Sequence, residues 1–366
     1  MMKKIFVHCS LADNQERFLK NHFVIKKHDA NESILKTEEL LKLVDECEGI
    51  ICQGNFIDKR FLKEKKNTLK AISNVAVGYD NIDVEEATKY KIAVFNTPNL
   101  LNDAVADLTL GLTISIARKI CLGNEYVKKG NWKKNSWPLF WGDDLNGETL
   151  GIIGMGSIGK KVAMRANSFG LNVFYHNRNR LDKDIEKKLS ANYIDLPSLL
   201  SQSKYIVLLT PLNKETKHLI NRNTFAMMRK DAYIINMARG KIIKEADLVL
   251  ALENNIIAGA GLDVYLDEPK VPNELMSLDN VTLLPHIGSA TLETREAMGM
   301  LAVNNLLLWE LHSVNLYTQN DHIHSFPTAQ SHQFQRCRLA YQKQYKLSLD
   351  LLAFLFCIKM IDPIGF

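Results

Sequence analysis

Nowhere in the 366-residue chain do apolar residues run on for the about 20 positions a membrane span needs. The longest apolar run near the C-terminus, Leu351 to Ile358, stops at Asp350 on one side and Lys359 on the other. At the N-terminus only Ile5 to Val7 precedes His8, which falls short of a signal-peptide core. No membrane partner and a cytoplasmic location are expected. The six cysteines (Cys9, Cys47, Cys52, Cys121, Cys337, Cys357) form no C-x-x-C pair and no His/Cys cluster at zinc spacing. They read as reduced thiols, with no disulfide framework and no metal site. A block of like charge is also missing: 46 basic and 41 acidic residues leave +5, spread along the chain. Nucleic acid is therefore not an expected partner, whereas a small anionic substrate suits the mild excess. There is no internal repeat of solenoid period and no low-complexity segment.

What is present is an ordinary globular composition, 46% apolar and 24% charged, over a length that suits two compact domains. From Lys4 to about Pro98 short apolar strands (Ile5 to Val7, Gly49 to Cys52, Leu69 to Val77) alternate with polar helical stretches such as Glu38 to Cys47. That alternation predicts an α/β layer on a mostly parallel sheet. After the turn-rich Asn96 to Asn99, Asn102 or Asp103 is expected to cap a long helix with the stripe Val105, Leu108, Leu112, Ile116. A second turn-rich segment, Gly130 to Gly147, carries Trp132, Trp137 and Trp141. Beyond it lies a second α/β series, with strands expected at Thr149 to Ile153, Asn172 to Tyr175, Tyr205 to Leu209, Tyr233 to Asn236, Ala258 to Leu262 and Val281 to Leu284. Five or six such strands make a doubly wound sheet. A final helix, Glu293 to Leu311, presents Met298, Leu301, Ala302 and Asn305 to a folded partner, the N-terminal domain being the simplest.

Gly154-Met155-Gly156-Ser157-Ile158-Gly159 is a G-x-G-x-x-G that comes after the strand Leu150 to Ile153 and opens a helix expected over Lys160 to Ser168. In that context the glycines let a dinucleotide pyrophosphate approach amides at a helix N-terminus. NAD-binding turns usually place a carboxylate about 20 residues on, where it bonds the ribose 2′-hydroxyl. Here the stretch reads Tyr175-His176-Asn177-Arg178-Asn179-Arg180. With no carboxylate to repel a 2′-phosphate, and Arg178 and Arg180 available to bond one, NADPH is the expected cofactor and NADH the second choice. Three further residues stand at strand or loop ends, where open α/β sheets bind ligands: Arg239, Glu268 and His286. Together they match what reduction of a 2-keto acid needs. Arginine grips a carboxylate and polarises a ketone, histidine gives the oxygen its proton, and a glutamate beside the imidazole favours its protonated form.

The order G-x-G-x-x-G, Arg, Glu-Pro, Pro-His resembles the D-isomer-specific 2-hydroxyacid dehydrogenases over about residues 40 to 320. Within that family the chain is most similar to the glyoxylate/hydroxypyruvate reductases, including bacterial enzymes that reduce 2-ketogluconate. The stretches that carry the likeness are Ser73 to Asp80, Asp103 to Asp107 and Pro285 to Thr291. The resemblance implies two doubly wound parallel-sheet domains, a Rossmann cofactor domain inserted into a flavodoxin-like substrate domain. Residues 1–100 and 290–320 would form the substrate domain and 101–289 the dinucleotide-binding domain, with hydride transfer in the cleft between them. It also implies that the backbone amides of Val77 and Gly78 hold the substrate carboxylate beside Arg239, that Pro211 lines the cofactor, and that Asp263 contacts the nicotinamide amide. It further implies a homodimer in which a tryptophan of the partner reaches the pocket, Trp141 being the match and Trp137 the alternative. Residues 321–366 depart from the family and read first as a frameshifted or read-through end, the alternatives being a docking helix over Leu347 to Ile361 and a disordered extension. Their His322, His324 and His332 lack regular ligand spacing. An NAD(H)-sensing corepressor on the same fold is the rival to an enzyme, because fold alone does not separate the two, and an NAD-dependent D-2-hydroxyacid dehydrogenase of other specificity is the rival among enzymes.

Overall fold

The structure, a computed structural model, describes residues 2–28, 35–135 and 137–312. The tail from residue 321, with its three histidines and Leu347 to Ile361, lies outside the described residues. Twelve strands are present among the described residues: β1 (Lys4–His8), β2 (Val24–Lys27), β3 (Gly49–Cys52), β4 (Ala71–Asn74), β5 (Ala93–Phe95), β6 (Thr149–Ile153), β7 (Asn172–His176), β8 (Ala191–Tyr193), β9 (Tyr205–Leu208), β10 (Tyr233–Asn236), β11 (Gly259–Leu262) and β12 (Val281–Leu283). They form two sheets in two compact units, one of Met1–Pro98 with the chain from Arg295, the other of Asn99–Thr294.

The first unit holds a parallel sheet in the order β2-β1-β3-β4-β5, the flavodoxin-like arrangement. Its central strands are buried from end to end, as parallel strands with helices on both faces must be. Phe6, Ile50 and Ile72 pack there with Leu40, Phe61 and Leu62 from the helices. The edge strand β2 reads Val-Ile-Lys-Lys and shows neither an apolar run nor alternation, so its pairing with β1 was not legible from pattern. The helix Leu292–His312 closes this unit. Met298, Ala302 and Asn305 are buried, and Ser73 at the heart of β4 donates to the Ala302 carbonyl at 3.0 Å.

The second unit holds a seven-stranded parallel sheet, β12-β11-β10-β9-β6-β7-β8, a Rossmann order extended by one strand. The helix Asn102–Ala117 begins as expected, but neither Asn102 nor Asp103 caps it; Leu101 stands at the N-cap. Asp103 is drawn away by cations on the helix Ser157–Ser168, accepting from Arg165 at 2.9 Å and lying 3.2 Å from Lys161. Asp107 accepts from the same Arg165 at 2.5 Å. That helix starts at Ser157, three residues before its expected start, because Gly156 already serves as N-cap. Among the described residues no helix is long and apolar enough to cross a membrane.

Candidate active site

The carboxyl edge of the seven-stranded sheet carries two groups of site residues. One is the turn after β6. Gly154 sits at φ +107°, and a Cβ there would fall 2.6 Å from the Thr210 amide nitrogen, so only glycine fits. A Cβ on Gly156 would meet nothing within 4 Å, which leaves the turn open on that side. At Gly159 a Cβ would lie 2.5 Å from the Gly154 carbonyl, so helix and turn are in backbone contact. No side chain caps the helix that begins with Ser157 and Ile158. Its first amides have no intrahelical acceptor and face the positive end of the helix dipole, an arrangement that fits a pyrophosphate.

The end of β7 is stitched to that turn. Gly154 N–H donates to the His176 carbonyl at 3.1 Å, and Asn177 Oδ1 accepts from the Met155 amide at 2.6 Å. Asn177 therefore braces the turn through its side chain. Arg178 and Arg180, which the sequence groups together, part here. Arg180 forks onto Glu186 with contacts of 2.8 and 2.7 Å, while Tyr175 donates to the same carboxylate at 2.6 Å. The Arg180 and Tyr175 hydrogen bonds hold the Glu186 carboxyl at about 2. Arg178 is 77% exposed and meets Glu215 only at 3.4 Å. Of the two, Arg178 is the more exposed. Pro211 is exposed at the end of the β9 connection, its carbonyl accepting from Thr216 at 2.6 Å.

The second group lies after β10, β11 and β12. His286 Nδ1 is 2.6 Å from Glu268 Oε2. A carboxylate acceptor on Nδ1 fixes that nitrogen as the donor and directs Nε2 away from the pair. Burial opposes the charge of Glu268, but the hydrogen bond and charge of His286, the Tyr265 amide and the charge of Arg239 outweigh it and hold the carboxyl below its ordinary range. His286 itself stands at φ +55°, a left-handed conformation that a histidine keeps only when its surroundings impose it.

Three residues missed by sequence reasoning hold this group together. Asn236, buried at the end of β10, donates to the Arg239 carbonyl at 3.0 Å and accepts from the Ala238 amide at 3.1 Å, which shapes the arginine's turn. Gly240 lies against the Tyr265 backbone, where a Cβ would come within 1.9 Å of the Tyr265 carbonyl carbon. Tyr265 N–H donates to Glu268 Oε1 at 3.0 Å. An Asn at a strand end and a Gly just past Arg239 were the available signals. Asp263 also has contacts of its own within the chain: its two oxygens accept from the Ile287 and Gly288 amides at 2.7 and 2.8 Å. It clamps the chain just after His286, and burial pushes its carboxyl up despite those amides.

Val77 and Gly78 belong to the first unit, after β4. Asn96 donates to the Val77 carbonyl and Asn74 to the Gly78 carbonyl, each at 2.9 Å. Both contacts engage the carbonyls and not the amides. Trp141 is 71% exposed, and Trp137 opens the short 3-10 turn Trp137–Phe140 before it. Cys9, Cys47 and Cys52 are buried thiols and Cys121 an exposed one.

Residues 110–288 match the family described as D-isomer specific 2-hydroxyacid dehydrogenase, NAD binding domain. The chain is 41% identical over 315 residues to a glyoxylate reductase of Pyrococcus horikoshii, covering 85% of this chain and 93% of that one. It is 39% identical over 309 residues to glyoxylate/hydroxypyruvate reductase B of Escherichia coli, covering 84% and 94%. Among solved structures it superposes with a TM-score of 0.75 and 30% identity on an NADPH-dependent glyoxylate/hydroxypyruvate reductase from Sinorhizobium meliloti, in complex with NADP and malonate, covering 85% and 94%. On this fold, this motif order and these likenesses, the chain belongs to the D-isomer specific 2-hydroxyacid dehydrogenase family and is an NAD(P)-dependent enzyme of that family.

Proposed function

We propose that the chain reduces glyoxylate, hydroxypyruvate or a similar 2-keto acid to the D-2-hydroxy acid, with NADPH preferred over NADH. The observation that carries the reading is the 2.6 Å contact between His286 and Glu268, on loops that share an edge with Arg239. The relatives named above for glyoxylate and hydroxypyruvate reduction support the substrate class.

When bound, the nicotinamide supplies the hydride. The rest falls to the chain. The amides of Val77 and Gly78 bind the substrate carboxylate, and the guanidinium of Arg239 adds a planar pair of donors that also polarises the ketone. Glu268 accepts from His286 Nδ1, favours the imidazolium and keeps its ring in one orientation, so that the proton at Nε2 passes to the developing alkoxide. The uncapped amides at Ser157, Ile158 and Gly159 hold the pyrophosphate. Arg178 pairs with the adenosine 2′-phosphate, while Asn177 acts by bracing the turn and Pro211 by lining the cofactor. A homodimer belongs to the same proposal: the exposure of Trp141, with Ile120, Val127 and Leu139, supports a partner face in that region.

The test is the near-ultraviolet absorbance of NADPH during incubation with glyoxylate and with hydroxypyruvate. Steady consumption with both, and a higher kcat/KM with NADPH than with NADH, is expected. A protein that binds NADPH without turning it over on any 2-keto acid would overturn the proposal.

A further inference from the structure

We infer that Tyr265 is a positioning residue for the proton donor, its hydroxyl fixing the backbone that presents His286 to Glu268. The inference rests on the reading of His286 and Glu268 as a proton-donor pair. Tyr265 is buried, and it touches all three loops of the group. Its amide donates to Glu268 Oε1 at 3.0 Å, and its backbone carbonyl lies against Gly240, next to Arg239. Its hydroxyl lies 2.9 Å from the Leu284 carbonyl and 3.3 Å from the Leu262 carbonyl. The Leu262 carbonyl already accepts from the Leu284 amide at 2.8 Å, and the hydroxyl's shorter contact is to the Leu284 carbonyl.

The Leu284 contact matters because of the two residues after it. Pro285 has no N–H, so the residue between Leu284 and His286 supplies no donor of its own. His286 then stands at φ +55°. On its far side Asp263 holds the amides of Ile287 and Gly288. The strained residue is thus gripped on both flanks, by the Tyr265 hydroxyl before it and by Asp263 after it, which is what a left-handed histidine needs to persist. With the front grip gone, the backbone is free to relax to negative φ and carry the imidazole off Glu268. The charged groups acting on that imidazole are Glu268, Asp263 and, through Glu268, Arg239. Burial pushes the Tyr265 phenol up to about 12, so it remains a neutral donor across the working range.

Tyr265→Phe keeps the ring and removes only the donor. In the full-length enzyme kcat for glyoxylate reduction should fall about 10-fold, a loss typical of a slightly misplaced catalytic group, with KM for NADPH unchanged. The alkaline fall of the reduction should move to lower pH, as in Glu268→Gln, and the double variant should move no further than Glu268→Gln alone. A melting temperature lowered with kcat and pH profile left at wild type would make Tyr265 a core residue only and overturn the inference, as would additive displacements in the double variant. Loss of NADPH binding in Tyr265→Phe would show a folding role and overturn it as well. If Glu268→Gln itself leaves the profile in place, the proton-donor reading fails first and takes this one with it.

Discussion

The glycine turn after β6 and the Arg239, Glu268, His286 group after β10, β11 and β12 occupy one sheet edge but are built in opposite ways. The turn is a local object: one strand end, three glycines and the first turn of one helix, doing its work with backbone amides. The second group is assembled from three loops that are distant in sequence, and works with side chains. In the turn, the decisive feature is a missing Cβ at Gly154 and Gly159. In the other group, Asn236, Gly240, Tyr265 and Asp263 make the contacts that tie the loops together. The difference teaches where each is vulnerable: the turn to an added Cβ at Gly154 or Gly159, the assembled group to the loss of a single hydrogen bond between its loops.

The largest effect should come from the assembled group. His286→Ala is expected to lower kcat by at least about 100-fold, the low end of the usual general-acid contribution of about 10² to 10⁴, with NADPH affinity kept because the turn is untouched. Stopped-flow and equilibrium binding on the same preparation check both halves. A loss of only a few-fold would move the proton donor elsewhere and dissolve the contrast.

The next concerns the turn's neighbour on β7. Asn177→Asp with Arg178→Ser places a carboxylate at the turn proposed for the 2′-phosphate of NADPH and removes the exposed guanidinium. A charge-assisted hydrogen bond contributes about 1.5 to 3 kcal/mol, so KM for NADPH should rise roughly 10 to 150-fold. KM for NADH should stay similar or fall. Because Asn177 also braces Met155 at 2.6 Å, Arg178→Ser alone is the cleaner probe of cofactor choice. A wild-type enzyme that prefers NADH defeats this before any variant is made.

Glu268→Gln should act more mildly. The amide still accepts from His286 Nδ1 through its oxygen, but the negative charge that favours the imidazolium is gone. Reduction requires the protonated imidazole and is lost as pH rises, so the alkaline limb of kcat/KM should move to lower pH while the rate well below that limb changes by less than about 10-fold. An unmoved limb removes Glu268 from its assigned role.

The same contrast explains how much of the molecule was legible in the sequence. Parallel strands buried on both faces announce themselves as apolar runs, so β3, β4, β9 and β10 stood out, while the exposed edge strand β2 and the three-residue β8 carried no such signal. The glycine turn was readable because its chemistry is contiguous. Arg239, Glu268 and His286 could be named by residue type and position, yet nothing in their own stretches said that the Tyr265 hydroxyl reaches the Leu284 carbonyl or that Asp263 clamps the chain after His286. Those facts depend on which strands lie side by side, β10 against β11 and β11 against β12. Arg178 and Arg180 show the limit from the other side. Two residues apart, they look equivalent in sequence, and Glu186, six positions beyond Arg180, is what separates them.

That separation gives the smallest predicted effect. Arg180, Tyr175 and the Leu181 amide form a closed set around Glu186: the arginine forks onto the carboxylate, the tyrosine donates to it, and Leu181 N–H donates to the tyrosine oxygen at 2.9 Å. The Glu186 carboxyl is lowered from its ordinary 4.5 to about 2. A carboxyl depressed in the folded state stabilises the fold fully above its unfolded value and loses that contribution as pH falls through the folded one. Glu186→Gln should therefore lower the melting temperature by a few degrees at neutral pH, with the deficit against wild type shrinking between about pH 4.5 and about pH 2. Calorimetry at a series of pH values reads it directly. The ratio of KM values for NADPH and NADH is expected to stay near that of the wild type, because the proposed partner of the 2′-phosphate is Arg178, which pairs with Glu215 and not with Glu186. A selectivity change in this variant as large as that of Arg178→Ser would put both arginines back in the cofactor site.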